Sequence, residues 1–366
     1  YHYDWKYMYY FMMILLLAAL LMVAICFRHD RPLRRIPLRE LHVREMFVAS
    51  AGLLMLMYVL CYGKVLDWLS SPRICLYVVL GPALLVFFLR TQHRSRNPYV
   101  DLAPLRQPKA LVGYLYMMIV MFFSTSTTLL TNYMTSILQV DATHSYTLYV
   151  WLLPGYALGA FVCFWWFRWQ RWRFRFLIAG GMACFALFFG LLYFGISPGS
   201  TYQSLFFPVF VRGAGMLTLI IAFALFAVEE LNPKYLICNA FFLIACRSVL
   251  APVMAASFYG NALYRLQQKY LCSLSEHFTL TDPAAAAKYA AALDSSLARG
   301  HGYAEAAQLA TGELYSTLQQ QSLLLALKDI LGWLFAVSLL LAVVSRFIPF
   351  HKTIRVRYAK AGDDMV

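Results

Sequence analysis

Phe206–Val228 carries one charged residue, Arg212, and after the turn 229–234 the stretch Tyr235–Tyr259 carries one more, Arg247. Each limb of this hairpin is long enough to cross the roughly 30 Å hydrocarbon core of a bilayer, which takes about 20 helical residues. In lipid the backbone must satisfy its own hydrogen bonds, so such limbs are helices. An arginine in hydrocarbon is expensive, by about 3 kcal/mol or more, and turns toward protein or a water-filled cavity. The pair therefore predicts a polar interior enclosed by further helices.

The same pattern recurs along the chain. Spans are expected at Met8–Phe27, Met46–Tyr62, Ile74–Leu89, Leu111–Leu130, Tyr146–Phe167, Phe176–Ile196, Phe206–Val228, Tyr235–Tyr259 and Ser322–Ser345, nine in all. With 61% hydrophobic and 13% charged residues, the chain lies far from soluble composition. The expected class is an all-α membrane protein. The net charge of +14 is a matter of topology, not of nucleic acid. Of the 31 lysines and arginines, 21 fall in alternate loops (28–44, 90–109, 168–175, 229–234 and 346–366), and seven fall on the other side. The positive-inside rule places the C-terminus and these loops in the cytoplasm and Tyr1 outside. The eight cysteines form no CxxC pair and no cluster with histidine, so neither disulfides nor a zinc site is expected. No GxSxG, HExxH, phosphate-loop or dinucleotide fingerprint occurs.

The segment 260–321 is expected outside the membrane. Asp282-Pro283 reads as an N-cap and first-turn proline, Ala284–Ala298 as a helix, and Gly300 as its stop. Tyr303–Gln321 is expected to be helical and to run into the last span. The segment is either a plain excursion or a surface for a partner.

Several candidates for chemistry follow. Arg247 lies about 16 Å along its helix from the cytoplasmic end, near the midplane. It would bind an anionic group, pair with a carboxylate or brace the bundle. Arg212 lies about 10 Å from the external end, close enough to snorkel outward. Asp329 is the only carboxylate well inside an apolar run. It is a candidate for proton exchange, for a pair with Arg212, or for an anchor at the helix entrance. Ser124–Thr128, including Thr128, and Asn132 would line a cavity or bond their own backbone. Tyr133, Tyr156 and Phe241 suit a pocket for lipophilic compounds or simple core packing. Pro154, Gly155, Gly159 and Pro252 permit a bend or close packing.

Certain short stretches, in order and in position relative to the spans, resemble a family. They are Asp4-Trp5-Lys6, Asn97-Pro98-Tyr99-Val100-Asp101-Leu102, and Asn132-Tyr133-Met134-Thr135-Ser136-Ile137-Leu138-Gln139. Leu153-Pro154-Gly155, Arg212-Gly213-Ala214-Gly215, Asn239 with Arg247, and Gln319-Gln320-Gln321 before Lys328-Asp329 complete the set. Together they resemble the fourteen-span drug/proton antiporters of the major facilitator superfamily, the EmrB/QacA-like group. The resemblance implies a nine-helix fragment of the major facilitator fold. In it, 1–27 is the last helix of the N-terminal bundle, 28–45 a basic cytoplasmic loop, and 46–89 two inserted helices. A second loop, 90–110, precedes the C-terminal six-helix bundle, 111–345, and the basic tail is 346–366. Five spans, with the family's proton-coupling acidic residue, would precede Tyr1. The turn 168–173 departs from the family by lacking a glycine-aspartate gating pattern.

The resemblance implies a proton-coupled multidrug exporter of the bacterial inner membrane, working by alternating access. It would take amphiphilic small molecules and protons, need no cofactor, and pair with a periplasmic adaptor and an outer-membrane channel. Its cavity residues would include Arg247, Arg212, Thr128, Asn132, Tyr133, Tyr156 and Asn239. A carrier for one metabolite on the same fold and a membrane-embedded transferase are the alternatives.

Overall fold

The computed structural model describes residues 5–26, 43–95, 98, 100–141, 147–169, 174–228, 235–277 and 283–347. Asp4, Asn97, Tyr99, Glu229, Glu230, Asp282, most of the two basic loops 28–44 and 168–175, and the tail beyond Phe347 lie outside these residues. Among those described there are helices and no strands. Eight helices are long and apolar enough to cross a membrane, and a shorter apolar stretch, Tyr9–Ile25, lies in the first helix. The chain is a multi-pass helical membrane protein.

Two compact units divide the chain, residues 1–46 and 47–366. The first holds α1 (Trp5–Cys26), whose sequence is apolar on every face. α2 (Val43–Tyr62) starts at the end of this unit and runs into the second. It is followed by a turn with Asp67 and Trp68 at positive φ and then by α3 (Pro72–Arg94). Tyr58 of α2 meets Tyr77 of α3 edge-on, at 5.2 Å between centroids. The third span, expected to be short at Ile74–Leu89, is a full-length helix because polar residues at both ends join it.

After the short α4 (Ala103–Arg106) come α5 (Pro108–Ser124) and α6 (Thr127–Ser136). These are two pieces of one span, Pro108–Ser136. Then follow α7 (Leu152–Trp169), α8 (Phe174–Gly195) and α9 (Phe206–Val228). The next span is three joined pieces: α10 (Leu236–Ile244), a π-helical turn Ala245–Leu250, and α11 (Ala251–His277). Pro252 has no N–H to return to the carbonyl of residue 248, so the ladder is already interrupted where the wider turn sits. α12 (Pro283–Ala298) and α13 (Tyr303–Phe347) complete the chain.

α9 is the hub: it packs on α7, α8 and α5. Its small residues let neighbouring backbones come close, the usual device where no hydrophobic force drives helices together in lipid. A Cβ on Gly155 of α7 would collide with the Phe210 carbonyl oxygen, and one on Gly213 would lie 2.8 Å from the Leu152 carbonyl oxygen. α13 lies along α8 and also contacts α11 and α12.

Contacts within the second unit sort its loops into two sets. Lys64 donates to the Gly260 carbonyl at 3.4 Å, Tyr133 to the Ser197 carbonyl at 2.8 Å, and the hydroxyls of Thr147 and Tyr202 lie 2.8 Å apart. At the other set of helix ends, the Asp101 N–H reaches Cys238 Sγ at 3.4 Å, and the Arg346 guanidinium sits 4.2 Å from the Phe176 ring centre. Each of these contacts joins segments that the alternation of charge places on the same side.

The segment 260–321 is more ordered than a loop. α11 continues to His277, Pro283 opens α12, Gly300 takes φ +91° where a side chain would be strained, and α13 starts at Tyr303. Buried Ala285 and Ala292 on α12 and Ala306 and Ala310 on α13 let these two helices pack closely. α13 has 45 residues, or about 67 Å at 1.5 Å per residue, twice what a bilayer core requires.

Candidate functional site

The span Pro108–Ser136 breaks at Thr125–Ser126. Beyond the break, the Thr128 N–H returns to the Thr125 carbonyl (3.2 Å) and the Ser126 N–H to the Phe123 carbonyl (3.2 Å). Both are i→i−3 bonds, so the carbonyls of Ser124 and Phe122 lose the partners that an α-helix would supply. Two side chains from other helices replace them. Arg212 of α9 donates from Nη2 to the Ser124 carbonyl at 2.7 Å and approaches Ser124 Oγ at 3.3 Å. Tyr259 of α11 donates to the Phe122 carbonyl at 2.9 Å. A run of Ser and Thr favours such a break, because short hydroxyl side chains compete for backbone groups. Thr125 Oγ1 bonds the Met121 carbonyl and Thr128 Oγ1 the Thr125 carbonyl.

Arg212 is 3% exposed. It does not snorkel. Depth along the helix allows it, but the guanidinium turns to the Ser124 carbonyl, and the Phe188 ring centre lies 5.7 Å from its central carbon. Nε and Nη1 have no hydrogen-bond partner among the described residues. The hydroxyls of Tyr149, Tyr156 and Tyr259 lie near the cation, but no carboxylate among the described residues pairs with it. Tyr156 and Ser124 both point their hydroxyls at Met216 Sδ, at 3.4 and 3.3 Å. The result is a buried cation with spare donors, ringed by aromatic and thioether groups, against a broken helix.

The other sequence candidates are dispersed. Arg212 and Asp329, one candidate pair, do not meet: Asp329 accepts a hydrogen bond from Tyr270 of α11. Arg247 is half-buried in the π-helical turn, with no hydrogen bond or ion pair among the described residues. Asn239 is 3% exposed and accepts the Tyr114 hydroxyl. Thr128 and Asn132 are exposed. Tyr133 is fully buried and ties α6 to the 197–200 turn. Tyr156 alone of this group joins Arg212. The sequence reading missed Tyr259, Met216 and Phe188. A tyrosine twelve residues beyond Arg247 in an apolar limb was the visible signal for Tyr259, but nothing local pointed it at Phe122.

An open groove of about 510 Å³ lies beside the break. Leu60, Phe122, Met254 and Phe258 give it apolar walls, and Asn261 and Arg265 a polar end. The Phe122 ring is 5.0 Å from that of Tyr259, which also lies near Arg212. No family model matches the chain, and no curated protein is significantly similar to it.

Proposed function

We propose that this protein is a secondary active exporter of lipophilic or amphiphilic compounds, driven by inward proton flow through alternating access. The observation that carries the reading is the broken span, whose freed carbonyls are met by Arg212 and Tyr259 inside the bundle. Discontinuous helices with charged partners, buried in protein, are where carriers build substrate and ion sites. The irregular turn at Ala245–Leu250, with Arg247, supplies a second weak point on a neighbouring helix. The glycine crossing of α7 and α9 suits rigid-body rocking, since it leaves few side chains to interlock.

The resemblance to fourteen-span major facilitator antiporters supports this mechanism and the multidrug assignment. In this reading the protein sits in a bacterial inner membrane with the basic loops and C-terminus in the cytoplasm. The helical arm of α11, α12 and α13 then stands outside, where a periplasmic adaptor would meet it. A carrier for a single metabolite is the second reading. It is favoured by the one specific, unpaired cation at the break.

Uptake into everted vesicles tests these readings. An exporter accumulates several amphiphilic dyes, and a protonophore abolishes accumulation. Saturable transport of one compound, with no dye accumulation, replaces the multidrug reading by the second. Accumulation unaffected by collapse of the proton gradient removes the proposed coupling.

A further inference from the structure

The geometry points to Arg212 as the anchor of a binding site for the anionic head group of an amphiphile, whose apolar part lies in the groove of Phe122, Met254 and Phe258. This deepens the transport reading and rests on it for the direction of movement, but not for binding. A buried guanidinium with one nitrogen bonded to a carbonyl and two without partners is an unfinished arrangement. Protein interiors complete such groups with a carboxylate, because an uncompensated buried charge is strongly unfavourable. Among the described residues none is present. The free Nε and Nη1 donors lie on opposite edges of the guanidinium, and each suits an oxyanion such as a carboxylate, which accepts charge-assisted bonds from a guanidinium. The Ser124 and Tyr156 hydroxyls, now spent on the weak acceptor Met216 Sδ, can turn to donate to the same anion.

The groove specifies the rest of the ligand. It is apolar along Leu60, Phe122, Met254 and Phe258, and its volume is that of a small-molecule site. Phe122 lines the groove, its carbonyl accepts from Tyr259, and the two rings lie 5.0 Å apart. In the proposed complex Tyr259 moves off the Phe122 carbonyl and opens a way from groove to cation. A quaternary ammonium is the wrong guest, since no described residue around Arg212 carries negative charge.

The test is direct binding to the purified protein in phosphatidylcholine nanodiscs without any gradient. Laurate, lauramide and dodecyltrimethylammonium share one tail and differ in head charge. The expected order places laurate tightest. Arg212→Gln lowers laurate affinity roughly 10- to 100-fold, the loss of one charge-assisted bond, and leaves lauramide unchanged. Arg212→Lys retains part of the affinity. Nanodiscs with phosphatidylglycerol separate the sources of the anion: displacement of laurate by that lipid assigns the site to a lipid head group, and no displacement assigns it to a free amphiphile. Either result upholds the anionic site. Tightest binding of the ammonium by the wild type, or undiminished laurate affinity in a folded Arg212→Gln protein, overturns it. If binding follows Arg212 but vesicles transport nothing, the site stands and the transport reading falls.

Discussion

Position 212 separates the energetics of folding from those of binding. The guanidinium gains one charged hydrogen bond, to the Ser124 carbonyl, and carries the desolvation of a cation with two idle nitrogens. The first is worth about 1.5–3 kcal/mol; the second costs several kcal/mol per ion. Arg212→Met, similar in length and apolar, is therefore expected to melt in detergent no lower than the wild type while losing anion binding. A marked drop in Tm would instead make Arg212 a structural cap. Tyr114 behaves oppositely. Its hydroxyl serves the buried Asn239, so Tyr114→Phe strands an amide oxygen and is expected to destabilise by about 1 kcal/mol, within the range seen for bonds between membrane helices. An unchanged unfolding midpoint would mean that Asn239 finds another donor.

Helix packing is governed by the α7–α9 crossing. Gly155→Ala places a methyl group inside the Phe210 carbonyl oxygen, and backbone cannot yield as a side chain can. The two helices must separate, and a loss of about 2 kcal/mol or more is expected, in the class of overpacked cores. Gly180→Ala on α8 meets nothing within 4 Å and is expected to be neutral or slightly stabilising, as alanine favours helix. Comparable melting of the two variants would refute the close crossing. At this scale the sequence was readable where length and polarity decide: α9 falls on Phe206–Val228 as expected, α12 opens at the proline and closes before Gly300, and α13 starts at Tyr303. The break at Thr125–Ser126 was not readable. Five consecutive hydroxyl residues are compatible with an unbroken helix bonding its own backbone, and only Arg212 and Tyr259, 88 and 137 residues away, make the broken form stable. The π-helical turn is equally silent, since its neighbour Pro252 also fits a simple kink. Arg212 was visible as an interior charge, but whether it turned inward or snorkelled outward was not, because distance along a helix says nothing about which neighbours close over it.

Within residues 47–366, the helices α11, α12 and α13 form an arm. The turn Gly300–Gly302 between α12 and α13 is the exposed tip of that arm. Protease added to right-side-out vesicles is expected to cut there, and protease trapped inside is not; the reverse pattern would invert the assigned topology. The account depends most on the space around Arg212 opening to each side of the membrane in turn. Tyr156→Cys, in a background without the eight native cysteines, puts a thiol at that space. Impermeant thiol reagents, applied to right-side-out and to everted vesicles, are expected to label it from both sides, with laurate protecting it in each case. Labelling from one side only, or from neither, would contradict alternating access around this cation.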